Sequence, residues 1–138
     1  AMKSFKVHIL AADNTFFDGE CESLIIPTSN GQYGILADHA NAITAVVPGT
    51  ATFRVIGGKN QIAAVSSGLC KIENGEVLLL VDSAERPEEI DEKMAEIAAA
   101  EAKEALLQKQ SYREYKSTQL LLARNIARMR VKNSGNNL

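Results

Sequence analysis

The chain has 138 residues, of which 46% are hydrophobic, and a formal net charge of −2 at pH 7. This length allows one domain, or a small domain with an appendage, and the weakly acidic balance excludes a protein built as a basic surface for nucleic acid. Two cysteines are too few for a disulfide framework, and no apolar run reaches the ~18 residues that span a bilayer, so we expect a soluble, intracellular protein without membrane insertion.

The first part of the chain, residues 1–84, has the two-residue period of β-strands. Phe5, Val7 and Ile9 alternate with polar neighbours, as in a half-buried strand. The predicted strands are 5–9, 15–17, 23–26, 43–47, 51–56, 61–66, 69–73 and 77–81. Strands that are apolar on one face need a second sheet to cover them. The sequence therefore predicts an antiparallel β-sandwich or flattened barrel.

Turn signals separate these strands. Asn74-Gly75 is the dipeptide most typical of a tight hairpin, and Asp18-Gly19 predicts a turn after the second strand. Gly31 and Gly34, flanked by polar and aromatic neighbours, predict a tight turn in which positive φ is tolerated.

No group of residues in this part points to catalysis. His39 has no second histidine or carboxylate set at ligand spacing, so we expect a hydrogen-bonded or interface histidine and no metal site. Ser66-Ser67-Gly68 lacks the G-x-S-x-G pattern and a partner base, which favours a simple turn. Cys21 and Cys70 are expected to be buried thiols.

From residue 85 onward the hydrophobic period changes to that of a helix. Pro87 followed by two glutamates predicts a helix start, and the capping-box pattern Ser111-x-x-Glu114 predicts that a second helix begins at Tyr112 and frays over 133–137. The apolar stripes are Ile90, Met94, Ile97, Ala98 and Ala105, then Tyr112, Tyr115, Gln119, Leu122, Ile126 and Met129. The pattern predicts an antiparallel hairpin of helices of about 23 and 21 residues.

Charge is segregated along the chain. Residues 1–84 carry five bases and eight carboxylates, residues 85–108 three bases and eight carboxylates, and residues 109–138 seven bases and one carboxylate. An acidic first helix beside a basic second helix favours the hairpin. Exposed ion pairs contribute only about 0.2–1 kcal/mol each, so two interpretations stay open: a packed hairpin, or a bistable element that a partner can open.

Several short motifs resemble those of the ε subunit of bacterial F-type ATP synthases. They are Gly31-x-x-Gly34-Ile35-Leu36-x-x-His39-Ala40, Thr44-Ala45 with Pro48-Gly49, Ser66-Ser67-Gly68, and Asn74-Gly75-Glu76-Val77 leading to Asp82-Ser83-Ala84-Glu85. Ala37 and Asn41 depart from the family pattern, which usually has prolines there. A sandwich followed by alanine-rich and arginine-rich helices is also the layout of that family, so the resemblance covers essentially the whole chain.

The resemblance implies a non-catalytic rotor subunit with two domains. Residues 1–84 would bind the γ subunit and rest on the c-ring, coupling the two during proton- or sodium-driven rotary ATP synthesis. Residues 85–138 would regulate, extending along γ to inhibit ATP hydrolysis. The complex would lie at the inner face of the plasma membrane, with this chain cytoplasmic and peripheral.

The resemblance also assigns contact residues. The c-ring or γ contact would involve Gly31, Gln32, Tyr33 and His39. In the extended state the basic residues of the second helix would meet acidic surfaces of the α/β catalytic head; these are Arg113, Lys116, Arg124, Arg128 and Arg130.

Some members of the family bind ATP in the folded hairpin through an I/L-D-x-x-R-A motif. The matching residues here are Glu85, Ile90, Asp91, Ala95, Arg124 and Arg128. Met94 stands in place of the motif arginine, and Glu101 in place of a further arginine. Since charged contacts to phosphate are the strong ones, we expect no cofactor, with ATP binding weak or absent.

Two other classes of function remain as alternatives. One is a stand-alone nucleotide-sensing or ligand-binding sandwich, which would act as a monomer without γ. The other is a β-sandwich enzyme, which the sequence disfavours because it shows no plausible nucleophile, metal cluster or acid pair.

Overall fold

A computed structural model describes residues 3–106 and 112–136, with side chains at 3–106 and 116–135. The strands of this described part are β1 (Phe5–Ala11), β2 (Asn14–Thr28), β3 (Gly31–Ile35), β4 (Ala42–Val46), β5 (Gly49–Val55), β6 (Asn60–Val65), β7 (Gly68–Glu73), β8 (Glu76–Val81) and β9 (Ala84–Glu85). A 3₁₀ turn (Pro87–Glu89) and the helices α1 (Glu92–Leu106) and α2 (Tyr112–Asn136) follow. The predicted order, a β-sandwich and then two helices, is confirmed.

The strands form one hydrogen-bonded path that folds over itself into two layers. The path is β4-β7-β8-β1-β2-β5-β6-β9, and β3 pairs with β2 outside it. Every pairing is antiparallel except that of β1 with β8, in which Lys6 lies opposite Glu76. The predicted antiparallel sandwich therefore contains one parallel pair, β1 with β8. Strand β2 links the layers, since β1 pairs along its first half and β3 and β5 along its second.

The core lies between the two layers. It consists of buried side chains from β1 through β8, among them Phe53, Leu24 and Leu79, none of which is exposed to solvent. Phe17 packs its ring 4.8 Å from that of Phe53 and covers one side of the core. Cys21 and Cys70 lie within this core as free thiols, as expected.

The predicted turn at Asp18-Gly19 is wrong, because β2 runs through it. Asp18 pairs with His8 and Gly19 with Val7 in the ladder with β1, so long-range pairing overrides the local turn signal. The register shifts instead between Ile9 and the next residue of β1, which makes a bulge opposite it in β2.

The glycine turns are partly as predicted. Gly31 has φ of +105°, but Gly34 does not have positive φ and lies inside β3, opposite Ile25. The tight turn therefore precedes Gly31, where the Thr28 hydroxyl donates to the Gly31 carbonyl at 2.6 Å. Asn74-Gly75 forms the predicted hairpin, with φ of +52° and +77° as a type I′ turn requires.

The first helix begins later than predicted. The backbone leaves the 3₁₀ turn in an extended conformation at Ile90, whose side chain is buried against Ala64 and Val131. Asp91 then caps α1: its carboxylate accepts from the Met94 amide at 3.0 Å, which satisfies an otherwise unpaired helix donor.

The apolar stripe predicted for α1 is wrong at Met94 and Ile97. The buried face of α1 consists of Ala95, Ala99 and Ala102, whereas Met94 and Ile97 are 57% and 44% exposed. Small side chains let two helix backbones approach closely, so alanine outcompetes larger residues at this contact.

The second helix begins at the predicted residue and runs further than predicted. Residues 133–136 are helical and do not fray. The predicted stripe residues Gln119, Leu122, Ile126 and Met129 are half-buried, and the deepest positions are Asn125, Ala127 and Val131. The predicted residues Ser111, Tyr112, Arg113, Glu114 and Tyr115 have side chains outside the described part.

Candidate functional site

A cluster of polar contacts lies where the link between sandwich and helices, residues 85–91, meets α2. Arg128 forms an ion pair with Glu85 of β9: Nη2 donates to Oε2 at 3.1 Å, and Nε lies 2.7 Å from Oε1 without the geometry of a hydrogen bond. The two side chains are 18% and 21% exposed. A hydrogen bond between a charged guanidinium and a carboxylate is stronger than one between neutral groups.

Further contacts surround this ion pair. Arg128 also donates to Asn125 Oδ1 at 3.1 Å, and Asn125, only 2% exposed, donates to the Leu121 carbonyl at 2.9 Å. Near the end of α2, Lys132 Nζ donates to the Pro87 carbonyl at 3.2 Å. The end of α2 is thus attached to the link by several polar contacts.

Arg86 fixes the link to the sandwich itself. Its guanidinium donates to Gln61 Oε1 and to the Phe16 carbonyl, both at 3.2 Å. The same group lies 4.6 Å from the centroid of the Phe16 ring, within the range of a cation–π contact. These contacts place Glu85 beside α2.

The residues that match the ATP motif serve packing and capping here. Ile90 is 3% exposed in the small apolar cluster, Asp91 caps α1, and Ala95 is fully buried. Glu85 and Arg128 bind each other. Arg124 has a buried Nε without a hydrogen-bond acceptor among the described residues. The structure brings Glu85 and Arg128 together, whereas the side chain of Met94 is largely exposed on α1.

The predicted basic residues of α2 differ in their surroundings. Arg128 is half-buried in its ion pair, and Arg124 is half-buried as well, whereas Lys116 and Arg130 are exposed. Arg130 lines a groove between α2 and the sandwich together with Gln32 and Thr50. The side chain of Arg113 lies outside the described part.

The predicted contact loop is organised by His39. Its Nε2 lies 2.8 Å from the Tyr33 hydroxyl, and its Nδ1 lies 2.8 Å from the Ala40 carbonyl. Because a carbonyl only accepts, Nδ1 carries a proton, and in the neutral ring Nε2 accepts from Tyr33. His39 is therefore hydrogen-bonded, as expected, while Gly31 and Gln32 are exposed.

An apolar face of the sandwich was missed by the sequence reasoning. Ile43, Leu69 and Leu80 are 71%, 51% and 43% exposed. Leu69 lies opposite Leu80 in the β7–β8 ladder, and Ile43 lies on the neighbouring strand β4, two residues from the partner of Leu69. We call these three residues the apolar sheet face. The signal was present in β8, since an uninterrupted apolar strand indicates burial on both sides.

Chemically reactive sites are scarce in the described residues. Within 3–106 and 112–136, no cluster of histidine, cysteine and carboxylate groups could hold a metal ion. Burial raises the pKa of the Cys21 and Cys70 thiols to about 11. No helix in the same ranges combines the length and apolarity needed to cross a membrane.

Two family models match consecutive parts of the chain. Residues 4–87 match the "ATP synthase, Delta/Epsilon chain, beta-sandwich domain", and residues 88–133 match the "ATP synthase, Delta/Epsilon chain, long alpha-helix domain". Together they span nearly all of the described residues.

The curated relatives and a solved structure that resemble this chain also come from ATP synthases. The ATP synthase epsilon chain of Ruminiclostridium cellulolyticum is 39% identical over 132 residues, covering 96% of this chain and 98% of that one. That of Cyanothece sp. is 37% identical over 131 residues, with 94% of each chain covered. A chain from the mitochondrial ATP synthase of Euglena gracilis (OSCP/F1/c-ring) shares the fold, with a TM-score of 0.74, 22% identity and coverage of 89% of this chain and 78% of that one.

Proposed function

The chain belongs to the delta/epsilon family of ATP synthase subunits, and on this premise we propose that it acts as the ε subunit in the central stalk of an F-type ATP synthase. In this role it couples the γ subunit to the c-ring during ion-driven rotary synthesis. It restrains ATP hydrolysis through its helices. Its place is at the inner face of the plasma membrane, as a peripheral part of the complex. The observation that carries the proposal is similarity over the whole chain, sandwich and helices alike.

We assign γ binding to the apolar sheet face. Ile43, Leu69 and Leu80 present a contiguous hydrophobic surface on rigid paired strands, and aliphatic area of this kind is what a stable subunit contact buries. The loop of Gly31, Gln32 and Tyr33 lies at a strand end and is exposed at its tip, which suits a contact with the c-ring.

The regulatory part of the proposal rests on the basic side of α2. Arg130 and Lys116 are exposed in the folded hairpin, whereas Arg124 and Arg128 would become available to an acidic surface of the α/β head only when the hairpin opens. The contact between α1 and α2 is made largely of alanines on the side of α1. An acidic surface can therefore compete with α1 for the basic helix α2.

The test is ATP hydrolysis by the cognate catalytic head. Adding the intact chain should lower the rate, and a chain truncated after Glu85 that still binds γ should relieve this inhibition. Arg130→Glu should relieve it in part, because the side chain is exposed and its replacement leaves the folded hairpin intact. Lys59→Glu, an equal charge change on an exposed turn of the sandwich, serves as control. Inhibition that survives truncation would contradict the regulatory role, and failure to bind γ would contradict the assignment itself.

The structure does not favour a stand-alone nucleotide sensor. The residues that match the ATP motif are used for packing, for capping α1 and for the Glu85–Arg128 ion pair. A ligand at this position would have to compete with these contacts.

A further inference from the structure

The hairpin is attached to the sandwich through one of its two helices. Helix α2 packs against β5, β6 and the 3₁₀ turn, whereas the main contact of α1 is with α2. The chain enters the hairpin through α1, which follows the link directly in sequence. It is nevertheless α2 that attaches the hairpin to the sandwich. Release of α2 would therefore free both helices, which would stay tethered through the link.

The contacts of α2 with the link are concentrated in its last three turns. They are the Glu85–Arg128 ion pair, the bond from Lys132 to the Pro87 carbonyl, and the packing of Gly135 against Pro87. A Cβ atom at position 135 would clash with the Pro87 ring, so this contact requires glycine. We call these five residues the clasp.

An apolar contact lies beside the clasp and is small. It consists of Ala64, Ile90 and Val131, with Ile62 partly buried against it. Ile90 and Val131 are both buried in it, at about 1.5–3 kcal/mol for each side chain, which is comparable with the value of a charged hydrogen bond. The polar contacts of the clasp therefore contribute a large part of the free energy that docks the hairpin on the sandwich.

We propose that the clasp is an electrostatic lock that holds the helical hairpin on the sandwich without any bound ligand. Glu85 is the critical residue of the clasp, because its carboxylate binds the guanidinium of Arg128 from the sandwich side. The carboxylate neutralises one cation of a helix face that also carries Arg124 one turn earlier and Lys132 one turn later. Without Glu85, that face would keep three cations beside the link. This inference concerns the free chain and goes beyond the proposed role in the synthase.

The test measures hairpin docking in the full-length chain. Fluorophores on Lys59→Cys and Asn133→Cys, both exposed positions, report the distance between the sandwich and the end of α2, while amide hydrogen exchange reports on the β6–β9 edge. Glu85→Gln should raise the undocked-to-docked ratio about tenfold or more, the usual range for losing a charged hydrogen bond. Exchange at the β6–β9 edge should quicken, and exchange in β1 and β8 should stay unchanged.

The matched control is Glu88→Gln. Glu88 is exposed and, within the described residues, has no ion pair, so this variant makes the same charge change three positions away and should leave docking unaltered. The double variant Glu85→Lys/Arg128→Glu should restore much of the docking that either single change removes. Equal behaviour of Glu85→Gln and Glu88→Gln would overturn the proposal.

Discussion

The apolar sheet face gives the sharpest test of the proposed γ contact. Leu69 is 51% exposed at its centre, and burying half a leucine side chain is worth roughly 1 kcal/mol. Leu69→Ala should therefore weaken binding to γ by about fivefold. Leu69→Asp should weaken it by at least about 100-fold, because a carboxylate buried against apolar surface without a partner costs several kcal/mol more.

The assay is titration of immobilised γ with each variant, after a thermal melt. An aspartate inside a strand costs up to about 1 kcal/mol of folding stability, which leaves the chain folded at the assay temperature. Ile56→Asp is the matched control, since Ile56 is also 51% exposed but lies on the turn after β5. Equal losses for Leu69→Asp and Ile56→Asp, or no loss for either, would refute the assignment of γ binding to this face.

Further predictions concern the sandwich and the ATP motif. Gly68→Ala should lower the melting temperature strongly, because its Cβ would lie 1.8 Å from a backbone oxygen of β8, whereas Gly34→Ala, which meets nothing within 4 Å, should change it little. Cys21 and Cys70 should react with a thiol reagent only on unfolding. Since burial raises their pKa from 9.0 to about 11, the unfolded chain loses thiol protons first, and stability measured by denaturant titration should fall as pH rises from 9 to 11. ATP should bind more weakly than the micromolar range in calorimetry, and Met94→Arg should tighten it; micromolar binding by the unmodified chain would show the reasoning to be wrong.

The sequence predicted well where a local signal and the tertiary structure agree. Asn74-Gly75 made a hairpin because both residues adopt the positive φ that its turn demands. The change of hydrophobic period predicted that helices follow the strands, and the structure has them after β9. Asp18-Gly19 carried a similar local signal and failed, because its residues pair with β1 along the whole of that stretch. A dipeptide preference of this size is smaller than the energy of a continuous ladder.

The helices illustrate a second limit. The sequence reasoning placed the largest apolar side chains of α1 in the contact, but the buried face is made of alanines. Which stripe is buried depends on how closely the partner helix approaches, and that distance is a property of the pair. The Glu85–Arg128 contact joins residues 43 positions apart, so charge counting could indicate attraction between segments without identifying the pair.

The parallel pairing of β1 with β8 bears on how the chain folds. Lys6 lies opposite Glu76, so the first strand finds one of its two neighbours only after seventy further residues have been made. Closing so long a loop is slow compared with forming a hairpin. During synthesis on the ribosome, β1 and β2 can pair early, but one edge of β1 stays open until the β7–β8 hairpin emerges. The helices are made last, so all the strands are available to pair before α2 docks on β5 and β6.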